Sequence, residues 1–270
     1  MAKVKVEQLF YYPVKSLRGV SLTSMTLDDF GPAGDRRWML VDPEGCFVTQ
    51  REQPRLALIQ ADLHDGRLVL TLPGEADAVA VEPSGTEQRV RVWRDWVKAR
   101  FAAGDASERL SRWLYTPVSL VYMPNSSLRP VDHNYSLAER RVSFADGFPF
   151  LVTHTASLQA LSARAGQDFD MRRFRPNIVV SGGDAFAEDQ WRALTIDGLR
   201  LDLVKPCSRC VMTTVDPDKG EKAADLQPLR ELGRFRRTPD GVMFGVNGIH
   251  SGTGGIRVGD WFDVELKEEH

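Results

Sequence analysis

The sequence predicts a β-rich α+β fold, and three observations support this prediction. Short apolar runs that alternate with polar residues recur between residues 4 and 92. Turn-forming glycine, proline and aspartate residues separate these runs, as in Asp42-Pro43-Glu44-Gly45. Helical periodicity is confined to a few later segments. This density of short strands is typical of a barrel or a sandwich.

The predicted strands begin near the N-terminus, where Val4 and Val6 alternate with charged residues before the turn at Pro13. Further strand-like runs follow at residues 20–27, 38–42, 47–49, 56–63, 67–72, 78–81 and 89–92. We place the end of a small N-terminal barrel domain near residue 95. The predicted domains are therefore residues 1–95 and residues 96–270, the second with a barrel core and flanking helices.

Three helices are predicted in the second part of the chain. The first spans residues 105–115, where Asp105 and Glu108 have the spacing of a capping box and apolar residues follow on one face. The second spans residues 155–164, with leucines on its buried side. A short third helix is predicted around residues 226–232, inside a charged, proline-containing segment.

Bulk properties exclude several classes of function. The 270 residues can bury a real core, and the formal charge of −2 gives no reason to expect nucleic-acid or membrane binding. Three cysteines without regular spacing do not form a disulfide framework, which favours a reducing compartment. The N-terminus lacks a hydrophobic signal core, and no apolar run is long enough to span a bilayer. We therefore expect a soluble, cytoplasmic protein.

The most informative stretch is Lys205-Pro206-Cys207-Ser208-Arg209-Cys210, which follows an alternating run of leucines at residues 199–203. We expect Pro206 to end that strand, because proline cannot donate to a sheet ladder. Both thiols would then lie on a turn at a strand end. Arg209 lies between them, and a nearby cation favours the thiolate, which is both a nucleophile and a soft metal ligand.

Four interpretations of this cysteine pair remain open from the motif alone. The two thiols could be unreactive packing residues, since free cysteine is commonly buried. A structural zinc site lacks a second ligand pair, because Cys46 and the histidines are scattered. A thioredoxin-like redox pair should open a helix, whereas residues 211–215 are β-branched and favour a strand. The fourth interpretation is a metal or sulfur centre that uses one thiolate.

Several basic residues lie beside turn or strand-end signals rather than on smooth helix faces: Lys15, Arg36, Arg51, Arg175 and Arg209. Each alone is typical of a solvated surface charge. If they converged on one pocket they would form an anion site, since arginine makes bidentate contacts with phosphate. The sequence by itself does not show such convergence.

The motif Lys-Pro-Cys-Ser-Arg-Cys-Val-Met-Thr-Thr-Val-Asp-Pro-Asp-Lys-Gly at residues 205–220 resembles the signature of the MOSC domain family (molybdenum cofactor sulfurase C-terminal). Further motifs of the family follow in the expected order: Tyr12-Pro13-Val14-Lys15-Ser16, Asp35-Arg36-Arg37-Trp38, Phe144-Ala145-Asp146-Gly147-Phe148-Pro149-Phe150, Arg173-Phe174-Arg175-Pro176-Asn177 and Ile256-Arg257-Val258-Gly259-Asp260. Within the family, the chain resembles the amidoxime-reducing-component proteins and their bacterial relatives. The resemblance covers nearly the whole chain and implies a MOSC-type N-terminal barrel followed by a MOSC domain.

The resemblance also implies a set of site residues. Matched position by position, the residues that bind the pterin and phosphate of the molybdenum cofactor are Lys15, Ser16, Arg36, Arg175, Asn177, Ser208 and Arg209. The second cysteine of the motif, Cys210, is implied as the molybdenum ligand, while Cys207 would lie nearby without bonding the metal. We add Arg51 as a further cation and Asp146 as an acceptor for pterin amino groups, although Asp146 is also typical of a turn-capping carboxylate.

Three neighbouring features are given lesser roles. Asp216 and Asp218, just past the cysteines, are expected to anchor their turn rather than act on substrate. The glycine-rich residues 244–252 are expected to form a loop over the site, with His250 outside the catalytic set. Cys46 is interpreted as a packing residue.

Together these observations predict a molybdenum-cofactor-dependent reductase that converts the N–OH group of amidoximes, hydroxylamines or N-hydroxylated nucleobases to N–H. No cysteine follows Cys210, so we expect no iron–sulfur cluster in the chain and a separate electron donor, which would be a ferredoxin, a cytochrome or a flavin reductase. Two alternatives are a carrier that delivers the molybdenum cofactor without turnover and a sulfur-transfer protein that forms a persulfide on Cys210.

Overall fold

The computed structural model describes residues 2–136, 140–252 and 254–268. The strands of its first half are β1 (Lys3–Tyr11), β2 (Val20–Leu22), β3 (Ser24–Asp28), β4 (Gly31–Pro32), β5 (Trp38–Val41), β6 (Gln60–His64), β7 (Arg67–Thr71), β8 (Val79–Val81), β9 (Pro83–Val92), β10 (Asp95–Ala102) and β11 (Ser119–Tyr122). The strands of its second half are β12 (Phe150–His154), β13 (Ile178–Ser181), β14 (Trp191–Ile196), β15 (Leu199–Arg209), β16 (Arg237–Thr238), β17 (Gly241–Ser251), β18 (Gly255–Arg257) and β19 (Trp261–Leu266).

The α-helices in the described part of the chain are α1 (Ala106–Leu114), α2 (Thr155–Ala165) and α3 (Leu229–Phe235). Short 3-10 helices occur at Pro54–Leu58, Met171–Phe174, Ala187–Gln190 and Val211–Thr214. In the described ranges, none of the helices combines the length and the hydrophobicity that crossing a bilayer requires.

A closed seven-stranded barrel forms the larger sheet. Its strands follow the order β12-β13-β1-β19-β14-β15-β17, and β17 pairs back with β12 to close it. The β12–β13 pair is parallel, and the other barrel pairs are antiparallel. Alternation decides which face of each strand points inward, so that Val4 and Val6 of β1 are buried with Leu201 and Phe262 in one apolar core.

The first half of the chain adds smaller sheets beside the barrel. One contains β5, β11, β10 and β9 in that order, and another contains β6, β7 and β8. The amphipathic helix α1 buries Leu110 and Leu114 in a core that also contains Leu68, Val81 and Leu120. The first strand, β1, lies between β13 and β19 in the barrel. A division of domains at residue 95 stays a prediction.

The β-rich α+β fold predicted from the sequence is confirmed, and so are α1 and α2 to within one residue at each end. Asp105 is the N-cap residue of α1, but its side chain makes no capping hydrogen bond. The third helix begins three residues later than predicted, at Leu229, because Pro228 occupies its N-cap position.

Three local predictions are wrong. Residues 47–49 form no strand, and Phe47 makes only an isolated bridge to Val41. The predicted strand at residues 56–63 begins instead as the 3-10 helix Pro54–Leu58, since proline suits the first turn of a helix. Residues 244–251 belong to strand β17 rather than to a loop. Gly245 allows this path because its φ of +74° suits glycine and a Cβ atom would lie 2.8 Å from the carbonyl oxygen of Val152.

Candidate functional site

A cavity of about 430 Å³ opens at one end of β15, and we call it the cysteine cavity. It is lined by every residue that the sequence analysis proposed for the site, drawn from six separate parts of the chain: Lys15, Ser16, Arg36, Arg51, Asp146, Arg175, Asn177, Ser208, Arg209 and Cys210. Cys207 also lines the cavity. The fold therefore makes these distant residues neighbours, while their individual roles stay predictions.

The end of β15 presents the two cysteines, but not in the way that the sequence suggests. Pro206 does not end the strand, which continues to Arg209 and pairs with β17 throughout. Register shifts on both sides of Pro206 interrupt the ladder there, and proline is tolerated at such bulges because no hydrogen-bond donor is needed. Cys207 therefore lies within the strand, and Cys210 is the first residue beyond it.

Cys210 is a free, half-buried thiol at the start of the 3-10 helix Val211–Thr214. The β-branched composition of residues 211–215 predicts a strand, and this prediction is wrong. The Cys210 carbonyl oxygen accepts hydrogen bonds from the backbone nitrogen and from Oγ1 of Thr213, at 3.1 and 3.0 Å. These two contacts favour the helical turn over an extended chain and hold the backbone that carries the Cys210 thiol.

Arg209 contacts the other cysteine. Its Nη1 lies 2.8 Å from Sγ of Cys207, and its Nη2 donates to the carbonyl oxygen of Phe174. The Arg209 guanidinium is thus in contact with Cys207. From the sequence we expected Arg209 to favour the thiolate form of both cysteines. The two thiols are therefore in different electrostatic surroundings.

Tyr12 lies between two of the arginines. The guanidinium carbon of Arg36 is 4.3 Å from the centre of the Tyr12 ring, and that of Arg175 is 4.2 Å from it. The ring is buried, and its hydroxyl donates to the carbonyl oxygen of Pro176 at 3.0 Å. Burial raises the pKa of Tyr12 to about 12, so the phenol is neutral at pH 7. Stacking on this ring fixes the direction of both guanidinium groups.

Asn177 connects the two arginines to the barrel. Its Oδ1 accepts from Nη1 of Arg36 and from the backbone nitrogen of Leu151, both at 3.2 Å. Its Nδ2 donates to Asp35 and to the carbonyl oxygen of Phe10, both at 3.3 Å. With two contacts accepted and two donated, this buried amide is fully committed to the protein. Its geometry suits orienting Arg36, although the sequence analysis proposed direct contact with a ligand.

Lys15 and Asp146 form an ion pair in the cavity wall. The Lys15 ammonium is buried and lies 2.5 Å from Asp146 Oδ1 and 2.8 Å from the carbonyl oxygen of Phe144. Burial lowers the pKa of Lys15 to about 8, against the opposing effect of the Asp146 carboxylate. Desolvation opposes ionisation of Asp146, but Lys15 and Arg51 outweigh it and hold the pKa of Asp146 well below its usual range.

Two buried donors of the site lack partners. Nη2 of Arg175 and Nε of Arg209 make no hydrogen bond to any residue that the structure describes. Burial also lowers the pKa of Arg175 to about 10. Six basic residues and one acidic residue line the cavity, the sixth base being Arg173. Unpaired buried donors and an excess of positive charge are the features of an anion-binding site.

Sequence reasoning missed several lining residues. Arg173 is the first residue of the motif at residues 173–177. Its guanidinium donates to the carbonyl oxygen of Thr214 and to the carboxylate of Asp216. Trp93 has no comparable signal, because it stands in a hairpin turn far from every motif. Its indole nitrogen donates to Asp146 at 3.1 Å. The signal that could have found it is its bulk at a turn position, where small residues are usual.

The features given lesser roles are also placed. Asp216 accepts from Arg173 and from backbone nitrogens of its own turn, and Asp218 pairs with Arg172 and Arg18. That they anchor the cysteine turn rather than act on substrate stays a prediction. Asn247 lines the cavity from within β17, while His250 of the same strand is buried elsewhere.

Comparison with known proteins gives the site a family. A model of the MOSC N-terminal beta barrel domain matches residues 3–117, and a model of the MOSC domain matches residues 139–263. Mitochondrial amidoxime-reducing component 1 of Mus musculus is 33% identical over 94% of this chain and 80% of its own length. The corresponding Homo sapiens protein is 33% identical over 94% of this chain and 81% of its own length. Mitochondrial amidoxime reducing component 2 of Homo sapiens is 31% identical, with coverages of 94% and 82%. This protein therefore belongs to the MOSC domain family.

Proposed function

We propose that this protein is a molybdenum-cofactor-dependent reductase of N-hydroxylated compounds. The observation that carries the proposal is the convergence of six basic side chains and a free thiol, Cys210, on one cavity. The names of its relatives, amidoxime-reducing components, support the reaction class. In the net reaction the N–O bond of the substrate breaks, an N–H bond forms and water leaves, with two electrons and two protons consumed.

The residues present fit the cofactor. Nη2 of Arg175 and Nε of Arg209 are buried donors without partners in the described chain, and phosphate oxygens are the kind of acceptor that such donors lack. Lys15 and Ser16 lie in the same wall, and both are nearly inaccessible to solvent. Cys210 offers a soft thiolate, which suits a metal that changes oxidation state. We assign Lys15, Ser16, Arg36, Arg51, Asp146, Arg175, Ser208 and Arg209 to direct cofactor binding and Cys210 to the molybdenum. Asn177 takes part in cofactor binding through Arg36, which it orients.

The cofactor, when bound, supplies the two-electron redox chemistry, and the protein supplies position and charge. Arg36 and Arg175 would hold the anionic end in place, because Tyr12 and Asn177 fix their directions. The backbone of Cys210 is held at the cavity wall by two hydrogen bonds from Thr213. Such preorganisation lowers the cost of ordering the site when the cofactor binds.

The electrons come, in this proposal, from a separate redox protein: a ferredoxin, a cytochrome or a flavin reductase. The substrate is a small molecule with an N–OH group, such as an amidoxime, a hydroxylamine or an N-hydroxylated nucleobase. The three free cysteines are consistent with the reducing cytoplasm, and a cytoplasmic location stays a prediction.

The test begins with protein from a host that makes the molybdenum cofactor. Stoichiometric molybdenum together with reduction of benzamidoxime by reduced methyl viologen is the expected result. The Cys210→Ala variant should reduce nothing, and Cys46→Ala should behave as the wild type, since Cys46 does not line the cysteine cavity. Bound cofactor without turnover would instead indicate a carrier, and cyanide-releasable sulfur on Cys210 would indicate sulfur transfer. Protein without molybdenum would contradict the proposal.

A further inference from the structure

A second cavity, of about 520 Å³, adjoins the cysteine cavity. The two cavities share one wall, made by Trp93, Asp146, Gly147 and Phe148. Lys205, which lies on the same strand as Cys207, also borders the second cavity. The second cavity is therefore the neighbour of the region that carries the thiols.

Trp93 is held at this shared wall in an unusual conformation. It is part of the two-residue turn between β9 and β10, and its φ of +55° is rare for a large side chain. The indole nitrogen donates to Asp146, the guanidinium carbon of Arg51 lies 4.6 Å from the ring centre, and Phe47 packs against the ring at 5.1 Å. The side chain is still 40% exposed. An exposed aromatic ring held rigidly in strained backbone points to a contact surface for a ligand.

Gly147 leaves open space beside this ring. A Cβ atom built at Gly147 would meet no heavy atom within 4 Å. Its φ is outside the left-handed region, so the backbone does not require glycine there. A larger side chain at this position would therefore enter the space at the shared wall without backbone strain.

The lining of the second cavity suits a neutral, planar molecule. Tyr135 and Phe148 pack edge to face with ring centres 5.4 Å apart, and they provide further aromatic surface. The charges that line it are balanced, with three basic and three acidic side chains. Arg129 pairs with Asp95 at 2.8 Å and Arg94 with Asp132 at 4.0 Å, while the Lys205 ammonium lies 5.0 Å from the centre of the Tyr135 ring and Asp146 pairs with Lys15. The cysteine cavity, in contrast, has a clear excess of positive charge.

We propose that the second cavity is the substrate subsite, in which Trp93 stacks on the ring of an uncharged aromatic amidoxime while the N–OH group enters the cysteine cavity beside Gly147. This inference rests on the proposed function, because it assigns the substrate of that reaction. Trp93 is then the residue that selects aromatic over aliphatic amidoximes.

The experiment compares benzamidoxime with acetamidoxime, which has the same reacting group and no ring. For Trp93→Leu in the cofactor-loaded protein, the ratio of kcat/KM for benzamidoxime to that for acetamidoxime should fall about tenfold, mainly through KM. Gly147→Val should lower the same ratio by filling the space at the shared wall. Trp261→Leu, at an exposed tryptophan on β19, should keep the wild-type ratio. Molybdenum content is measured for every sample, since Trp93 also contacts Asp146.

An unchanged ratio in both Trp93→Leu and Gly147→Val would overturn the subsite, even if the wild type reduces both compounds. A measurement of benzamidoxime binding distinguishes failure of the proposed subsite from failure of the proposed reductase function. If the loaded wild type reduces neither compound but binds benzamidoxime in calorimetry, with affinity lost in Trp93→Leu, the subsite stands and the reductase assignment fails. If it neither reduces nor binds benzamidoxime, both are overturned.

Discussion

Nη1 of Arg209 lies 2.8 Å from Sγ of Cys207, so the cation of the motif is committed to the first cysteine and not to the second. Cys207 lies inside β15, and Cys210 begins the 3-10 helix that follows. The two thiols, three residues apart, are therefore not interchangeable. One is held in a contact with its own strand, and the other is free to bind a ligand in the cavity.

This difference predicts unequal effects of removing each thiol. Cys210→Ala should abolish amidoxime reduction and lower the molybdenum content, because the metal loses its protein ligand. Cys207→Ala should keep part of the activity, because only the contact with Arg209 is lost. Molybdenum per protein and reduction of benzamidoxime measure both effects. The reverse ranking of the two variants would contradict the assignment of Cys210 as ligand.

Cofactor retention should depend on pH through Lys15. Burial lowers the pKa of Lys15 to about 8, so its positive charge is lost as the pH rises through that value. We expect less molybdenum to remain after dialysis at pH 9.5 than at pH 7, because an anion binds more weakly without this charge. Lys15→Met should retain less cofactor at pH 7 and show a smaller change between the two pH values.

Unfolding does not explain such a loss. Between about pH 8 and the ordinary lysine pKa of 10.5, the unfolded chain binds more protons at Lys15 than the folded protein does. The titration of Lys15 alone therefore increases the free energy of unfolding of the empty protein in this range. Circular dichroism of the dialysed protein checks this point. Equal retention at both pH values in the wild type would contradict the role of Lys15.

Features that depend on local sequence patterns could be predicted, and features that depend on contacts between distant parts of the chain could not. Alternation of apolar and charged residues is enough to predict β1, because the inward face is decided residue by residue. The path of β15 through Pro206 depends on its pairing with β17, which lies some forty residues further along the chain, and no local pattern encodes it. The same is true of the 3-10 helix after Cys210, where a turn held by Thr213 overrides β-branched composition.

Motif matching located the cavity residues but not what each contacts. Asn177 was proposed as a ligand contact, yet all its polar atoms are used by Arg36, Leu151, Asp35 and Phe10. Trp93 was missed because its role depends on Asp146, which is 53 residues away in sequence. Contacts between such distant residues are a property of the folded chain.

Tyr12 should be important for cofactor retention because it positions Arg36 and Arg175. Tyr12→Phe keeps the ring and loses the hydrogen bond to Pro176, so we expect a loss of about 1 kcal/mol in the free energy of unfolding. Cofactor retention should remain near that of the wild type. Tyr12→Leu removes the stacking surface, and we expect ~2 kcal/mol or more of destabilisation together with lower molybdenum content. Urea denaturation and metal analysis measure the two effects, and equal molybdenum content in the two variants would refute a positioning role.

Glu188 should make stability depend on pH at a place remote from the cysteine cavity. Its buried carboxylate accepts from Oγ of Ser157 at 2.8 Å, while its other oxygen has no partner in the described chain. Burial raises the pKa of Glu188 to about 7, against the effect of that hydrogen bond. Because the folded pKa exceeds the unfolded value of 4.5, the stability that Glu188 contributes is fully present below pH 4.5 and is lost as the pH rises through 7. Glu188→Gln removes this titration. The free energy of unfolding of the variant, measured relative to that of the wild type, should therefore increase by about 2 kcal/mol from pH 5 to pH 8. Urea denaturation at both pH values tests this prediction, with Glu44→Gln as an exposed control. If the difference in free energy of unfolding between Glu188→Gln and the wild type is the same at both pH values, Glu188 is already ionised at pH 5.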